Sequence, residues 1–256
     1  MITLNGHPVS TTFFPDQSSQ VWKIDPKFFL TNNNVIRWEF QGEAEFMHLA
    51  QLKTLLDLNY GLDTTLDLPY LPYARQDKEI TNESTFALYT FALLLNSLGF
   101  TKVFIFDPHN LELTQRLIDR VEITMPDVKS LLKELKALPV YPDAGAAKRY
   151  NAPKNTLRCE KVREPLTGEI TGIKVIGKVR HTNYLIQDDL IDGGRTFIEV
   201  AKKLYKKGAK NVYLYGSHGI FSKGLPPLFD AGIRRIFTYK GEAFWSSKCE
   251  IFYKTI

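Results

Sequence analysis

The chain has 256 residues, 44% of them hydrophobic and 24% charged, enough for one large or two ordinary domains with substantial cores, and this composition excludes global disorder or a fibrous repeat. Thirty-three basic against 28 acidic residues leave a net charge of +5, scattered along the chain, which suits phosphate-bearing substrates and nucleic acid alike and separates neither. The longest nearly apolar stretch, Phe86 to Leu95, falls short of the roughly 20 residues needed to cross a bilayer. The opening MITLNGHPVSTT lacks the basic start and apolar block of a secretory leader, so a cytoplasmic protein with no membrane partner is expected. Cys159 and Cys249 offer neither a disulfide framework nor a metal-ligand spacing and read as reduced thiols.

In chain order, helical spacing of apolar residues runs over Glu43 to Leu58, followed by a strand at Thr65 to Leu68. A second helix spans Ser84 to Leu98, with Asn82 or Ser84 as its cap, and a strand follows at Lys102 to Phe106. Asp127, after Pro126, starts a helix to Leu135. Strands then recur at Leu138 to Tyr141, Leu157 to Cys159, Ile173 to Ile176 and Tyr184 to Ile186, with GEITG at 168–172 read as a flexible turn or hairpin. A helix at Thr196 to Tyr205 and strands at Asn211 to Tyr215 and Arg235 to Thr238 complete the series. Strands alternating with amphipathic helices predict an α/β protein with mainly parallel sheets flanked by helices. A division near Ala137 predicts two lobes, 1–137 and 138–256.

The stretch YLIQDDLIDGGRT, Tyr184 to Thr196, leads directly into a helical run. Asp188 and Asp189, at the end of a buried strand, are acceptors able to hold vicinal sugar hydroxyls. Asp192, Gly193, Gly194, Arg195 and Thr196 form a loop whose amides, with the helix dipole behind them, favour a phosphate. Three aspartates within five residues exceed what helix capping requires, so this segment reads as a cradle for a ribose 5-phosphate group.

At this point the sequence resembles the phosphoribosyl signature shared by type I phosphoribosyltransferases and ribose-phosphate pyrophosphokinases. Four further segments resemble the pyrophosphokinases in particular: LPYLPYARQDKE at 68–79, FDPH at 106–109, YPDAGAAKRY at 141–150 and GSHGIFSKG at 216–224. The resemblance implies two lobes of type I phosphoribosyltransferase fold with the active site between them, ATP held mainly by the first and the sugar by the second. It implies ATP contacts from Arg75, Gln76, Asp77 and His109, and Mg²⁺ held directly or through water by His109 and Asp143. It places the family's catalytic Lys-x-Arg pair at Lys161 and Arg163, on a flexible loop where two cations could neutralise charge on the transferring phosphoryl group. Lys148 and Arg149 read as a solvated basic face. The implied reaction moves the β,γ-pyrophosphoryl group of ATP to the 1-hydroxyl of ribose 5-phosphate, releasing AMP. A homo-oligomer, dimer or hexamer, is also implied, with no nucleic-acid partner.

The chain departs from the family at three places. The phosphate loop reads Asp192-Gly193-Gly194-Arg195-Thr196 where the family commonly has Asp-Thr-x-Gly-Thr; a hydroxyl donor gives way to a guanidinium, which also fits a substituted 5-phosphate such as ADP-ribose. Phe14 and Asp16 match the family's Phe-x-Asp-Gly-Glu element, implied to contact the adenine of a neighbouring subunit, but Gln17 and Ser18 replace its Gly and Glu. Both chain ends are shorter than in the family. Two further alternatives remain at this stage: a phosphoribosyltransferase using the same 188–196 loop, and a non-catalytic regulatory subunit.

Overall fold

The computed structural model describes residues 1–22, 24–25, 27, 33–163, 170–243 and 246–253, with backbone alone at 161–163, 170–171, 240–243 and 246–253. It divides into two compact units, Met1–Met125 and Pro126–Ile256. The division falls ahead of the Ala137 boundary read from the sequence. The helix before Ala137 belongs with the second unit because its Val128 and Leu135 share a buried cluster with Leu185, Tyr215 and Phe237.

In the first unit a six-stranded sheet has the order β2-β1-β5-β6-β7-β8. Its strands are β1 (Ile2–Leu4), β2 (His7–Pro8), β5 (Asn33–Trp38), β6 (Asp63–Leu68), β7 (Lys102–Phe106) and β8 (Val121–Thr124). β5 to β8 are parallel, and β1 and β2 extend the sheet in antiparallel fashion. Three helices, α1 (Glu45–Tyr60), α2 (Ala87–Ser97) and α3 (Leu111–Leu117), join the parallel strands. Alternation along the strands sends Ile36, Leu66 and Val103 into one core with Leu49, Leu52 and Leu56 of α1 and Leu88 and Leu95 of α2. α1 stops at Gly61, whose left-handed φ of 58° lets its N–H reach the Asp57 carbonyl. A separate hairpin of β3 (Thr11–Phe13) and β4 (Ser19–Val21) is tied to α1: Val21 N donates to Gln51 Oε1 and Gln51 Nε2 to the Ser19 carbonyl, both at 2.8 Å.

α2 begins at Ala87 behind Phe86, with no side-chain cap. Neither Asn82 nor Ser84 caps it. The Ser84 hydroxyl is engaged in the preceding turn, where it accepts from the amides of Ile80 and Thr81.

The second unit carries a seven-stranded sheet in the order β11-β10-β9-β12-β13-β14-β15. Its strands are β9 (Ala137–Tyr141), β10 (Leu157–Arg163), β11 (Ile170–Ile176), β12 (Asn183–Ile191), β13 (Asn211–Gly219), β14 (Ile233–Ala243) and β15 (Ser246–Tyr253). β10, β9, β12, β13 and β14 run parallel, with the antiparallel β11 and β15 at the edges. The helices are α4 (Val128–Leu135), α5 (Ala144–Arg149), α6 (Arg195–Lys206) and α7 (Pro226–Asp230). Asp127 caps α4 as expected, accepting from Ser130 N at 3.2 Å. Of the expected GEITG turn, Gly168 and Glu169 lie outside the described residues, and Ile170–Gly172 open β11. Among the described residues, no helix is long and apolar enough to cross a membrane. Cys159 is a free, buried thiol pushed up to about 12, first by burial and then by the charge of Asp143, so it stays protonated and chemically quiet. The side chain of Cys249 lies outside the described residues.

Candidate functional site

The site in the second unit follows from where the chain turns aside. From β9 it passes through α5 to β10 on one side, and from β12 through α6 to β13 on the other. The two connections diverge and open a crevice beyond the carboxyl ends of β9 and β12, where open parallel sheets bind ligands. Asp143 follows β9, and Asp188 and Asp189 lie near the end of β12, which runs on to Ile191.

The structure brings these three acids together. Asp143 accepts from Ala146 N at 3.0 Å and so caps α5. The Asp188 carbonyl accepts from the Tyr150 hydroxyl at 3.1 Å, and Asp188 Oδ1 accepts from Asp189 N at 3.0 Å. Asp189 is buried, whereas Asp188 keeps part of its surface exposed although its carboxyl is deeply set. Burial raises the Asp188 carboxyl well above the usual carboxylate range, and the charge and hydrogen bond of Asp189 and the charge of Asp143 push it further. Acids that repel one another at a crevice are a recognisable mark of a functional site.

The next turn presents donors. Gly194 precedes α6 with φ 78°, and a β-carbon there would stand 2.8 Å from Leu228 Cδ2, so both backbone and space require glycine. No side chain caps α6, leaving its first-turn amides and the positive end of its dipole for an incoming anion. Arg195 is exposed, and Thr196 and Asp192 are half-buried. The GSHGIFSKG segment folds against this turn: Ile220 N donates to the Ile191 carbonyl at 2.8 Å. A β-carbon on Gly193 would lie 3.5 Å from Lys223 Cγ and 3.6 Å from Ser222 Oγ. Lys223 and Ser222 were not singled out from the sequence, nor was Tyr150, although all three lie inside quoted motifs; only the fold shows which motif residues approach the loop.

In the first unit, adjacent parallel strands carry the other candidates. Arg75 and Gln76, both exposed, follow β6 through a tight turn in which Gln76 N donates to the Tyr73 carbonyl at 2.8 Å. Asp77 Oδ2 accepts from Asn110 Nδ2 at 3.0 Å, which joins the ARQD segment to the loop after β7. There Asp107 is buried with φ 43° and His109 is exposed. Asn110, missed from the sequence, also caps α3 through Oδ1.

Phe14 and Asp16 occupy the exposed tip of the β3–β4 hairpin. Asp16 Oδ1 accepts from both the amide and the hydroxyl of Ser18, which hold its carboxyl below the usual range and give it a turn-closing role. Lys161 and Arg163 belong to β10 itself, opposite Ile173 and Ile170 of β11, rather than to a loop after the strand; their side chains lie outside the described residues. His109 is in the first unit and Asp143 in the second. Among the described residues no group of three or more His, Cys, Asp or Glu is arranged to hold a metal.

The geometry agrees with what comparison finds. Residues 142–237 match the model of the phosphoribosyl synthetase-associated domain. A ribose-phosphate pyrophosphokinase of Sulfolobus acidocaldarius is 28% identical over 220 residues, covering 75% of this chain and 74% of that protein. One from Mycoplasma genitalium is 34% identical over 156 residues, covering 57% of this chain and 47% of that protein. The chain is thus similar to ribose-phosphate pyrophosphokinases over most of its length. A phosphoribosylpyrophosphate synthetase of Mycobacterium smegmatis has the same fold, with a TM-score of 0.72 at 20% identity over 90% of this chain and 79% of that one. The likeness joins a shared fold to a segment match that contains Asp143, the acid pair and the glycine turn.

Proposed function

We propose that the chain is an ATP-dependent diphosphokinase acting on ribose 5-phosphate. The observation that carries this reading is the crevice beyond β9 and β12, where the mutually repelling acids of β12 stand beside a glycine turn and an uncapped helix N-terminus. Asp188 and Asp189 accept hydrogen bonds from the ribose diol, and the amides from Asp192 to Thr196 receive the 5-phosphate, with the stem of Lys223 packed beside Gly193. Held at both ends, the sugar presents its 1-hydroxyl to the nucleotide. That oxygen attacks the β-phosphorus of ATP; the bond from the β-phosphorus to the bridging oxygen breaks, AMP leaves with that oxygen, and the hydroxyl proton passes to solvent. No side-chain nucleophile is needed, because catalysis rests on alignment and charge neutralisation. Arg75 binds phosphate oxygens through several donors and Gln76 hydrogen-bonds the nucleotide, while Lys161 and Arg163 neutralise the transferring group.

Mg²⁺ fits this reading. Asp143 and Asp188 supply hard oxygen donors whose mutual repulsion a cation relieves, and Mg²⁺ is ordinarily held by one or two carboxylates together with phosphate oxygens and water. When bound, the ion neutralises phosphate charge. His109 is retained as a nucleotide contact, directly or through water. The matched relatives named above are pyrophosphokinases, which lends no support to the phosphoribosyltransferase, ADP-ribose or regulatory-subunit readings. Incubating the chain with ATP, Mg²⁺ and ribose 5-phosphate should release AMP in step with a pyrophosphorylated pentose detected by mass spectrometry. AMP released only with ADP-ribose as acceptor, or no AMP at all, would overturn the assignment.

A further inference from the structure

The positive charge that is scattered along the sequence is gathered by the fold at one edge of the second unit. β9, β12, β13 and β14 run parallel, and their amino ends lie level: Ala137 of β9 is opposite Asn183 of β12, Asn183 is opposite Asn211 of β13, and Val212 is opposite Ile233 of β14. The segments at these amino ends, 133–136, 178–183, 203–211 and 230–235, hold ten Lys or Arg against two acids, Glu134 and Asp230. This edge therefore carries more positive charge than the whole chain's net +5. Lys136, Arg180, Lys206, Lys207, Lys210 and Arg234 are all exposed on it.

The edge is fastened from within. Lys210 N donates to the Thr182 carbonyl at 2.9 Å and His181 Nδ1 to the Gly208 carbonyl at 3.1 Å, which ties the segment before β12 to the one before β13. Asn183 Nδ2 donates to the Leu135 carbonyl and Asn211 Nδ2 to Asn183 Oδ1, both at 2.8 Å, so the entry to β9 is tied in as well. Neighbouring strands stand about 4.8 Å apart, which sets the backbones of Lys136, Arg180, Lys210 and Arg234 along a line of roughly 14 Å. A line of cations matches the repeated charges of a phosphodiester backbone, whereas one small anion is met by a convergent cluster. Among the described residues, none of the exposed large hydrophobic side chains belongs to these segments. That argues against a lipid surface, where lasting attachment needs an apolar group inserted beside the basic patch. It also leaves no exposed ring for base stacking, so recognition falls to phosphates alone, which carry no sequence information.

We propose that this edge binds a nucleic-acid strand through its phosphates, without regard to sequence. Because the strands are parallel, the edge lies at the end of the sheet opposite the crevice beyond β9 and β12, and a strand bound there leaves the crevice open. The resemblance described above implied no nucleic-acid partner; the argument for one comes from the charge that the fold collects. It is independent of the diphosphokinase reading.

Fluorescence anisotropy of a labelled oligothymidylate of about 20 nucleotides, titrated with the full chain at about 50 and about 200 mM salt, tests this. Four phosphate contacts on a single strand give a slope of about −2.8 in log affinity against log salt, so binding should weaken about fiftyfold over that range. A mixed-sequence oligonucleotide of equal length should bind alike. Arg180→Gln combined with Lys210→Gln removes two of the four cations and should cut the salt effect to about sevenfold, while AMP release stays unchanged. Lys136→Gln combined with Arg234→Gln should do the same, and serves if the first pair fails to fold. A folded pair variant with the affinity and salt dependence of the wild type overturns the proposal, as does a wild type that binds no oligonucleotide or binds it without salt dependence. Displacement of the oligonucleotide by ATP with ribose 5-phosphate overturns it by placing the strand in the crevice. Binding to phosphatidylserine vesicles with none to the oligonucleotide overturns it in favour of a lipid surface. Absence of AMP release by the wild type overturns the diphosphokinase reading alone.

Discussion

Asp67 in the first unit and Asp188 in the second are both deeply set carboxylates on central parallel strands, and their surroundings differ in sign. Burial raises Asp67, but Arg37 of the neighbouring β5 stands 2.6 Å away and pulls it back. Burial raises Asp188 too, and Asp189 and Asp143 then add to the rise. The first acid is answered from within the sheet and stabilises the pairing of β5 with β6. The second, among the described residues, has further acids beside it, and in the function proposed here it takes a hydroxyl donor or a cation. Topology reinforces the contrast. β5 to β8 lie side by side in sequence order, so the chain steps in one direction across them, whereas β9 and β12 send it opposite ways and open a crevice.

The largest effect expected from this contrast is on turnover. Asp188→Asn should lower kcat/KM for ribose 5-phosphate by about a hundredfold or more, since a site built to accept from a diol is left with a mismatched donor; steady-state AMP release measures it. The same change should stabilise the fold. An unfolded aspartate titrates near about 3.9 and the folded one well above it, so the folded chain holds the extra proton in that window and stability falls as pH rises through it. Without divalent cations or nucleotide, Asp188→Asn should therefore melt above the wild type at pH 8, the gap closing as the pH approaches about 4. Equal melting curves at pH 8 would erase the contrast between the two acids.

Arg37→Ala should do the reverse in the first unit. It strands Asp67 in the sheet without its cation, at a cost of roughly 2–3 kcal/mol, toward the low end for broken buried pairs because both side chains keep some solvent contact; urea denaturation measures it. A loss below about 0.5 kcal/mol would mean that Asp67 does not depend on Arg37. The smallest effect belongs to Lys102, paired with Glu122 at 2.9 Å with both side chains about half exposed. Lys102→Ala should change stability by under about 1 kcal/mol, marking the baseline against which the buried pair is judged.

Much of the architecture was legible along the chain. The strand at Lys102 to Phe106 coincides with β7, and Asp127 caps α4, because an apolar run and an acid ahead of an amphipathic segment act locally. β5 escaped the reading: NNVIRW mixes asparagine and arginine into its alternation, and Arg37 is tolerated there because Asp67 arrives from another strand and Glu39 pairs with it from two residues on. Short elements such as α3, α5 and β8 also went unread, having too few residues to display a period. At the site, the acid pair and glycine turn stood out through composition alone. An aromatic cavity in the first unit did not, since the side chains of Trp38, Phe40, Phe46, Tyr73 and Phe91 that line it are spread over two helices, a strand end and a turn.

By itself, then, the order of residues determined the alternation of strands and helices, the acid-rich turn before α6 and the family signature, all properties of neighbours in the chain. Tertiary structure decided which acid found an arginine and which, among the described residues, has other acids beside it, that Lys161 and Arg163 lie on a paired strand, and that five rings line one cavity. Burial, charge pairing and enclosure depend on groups far apart in sequence, and only packing brings them within reach of one another.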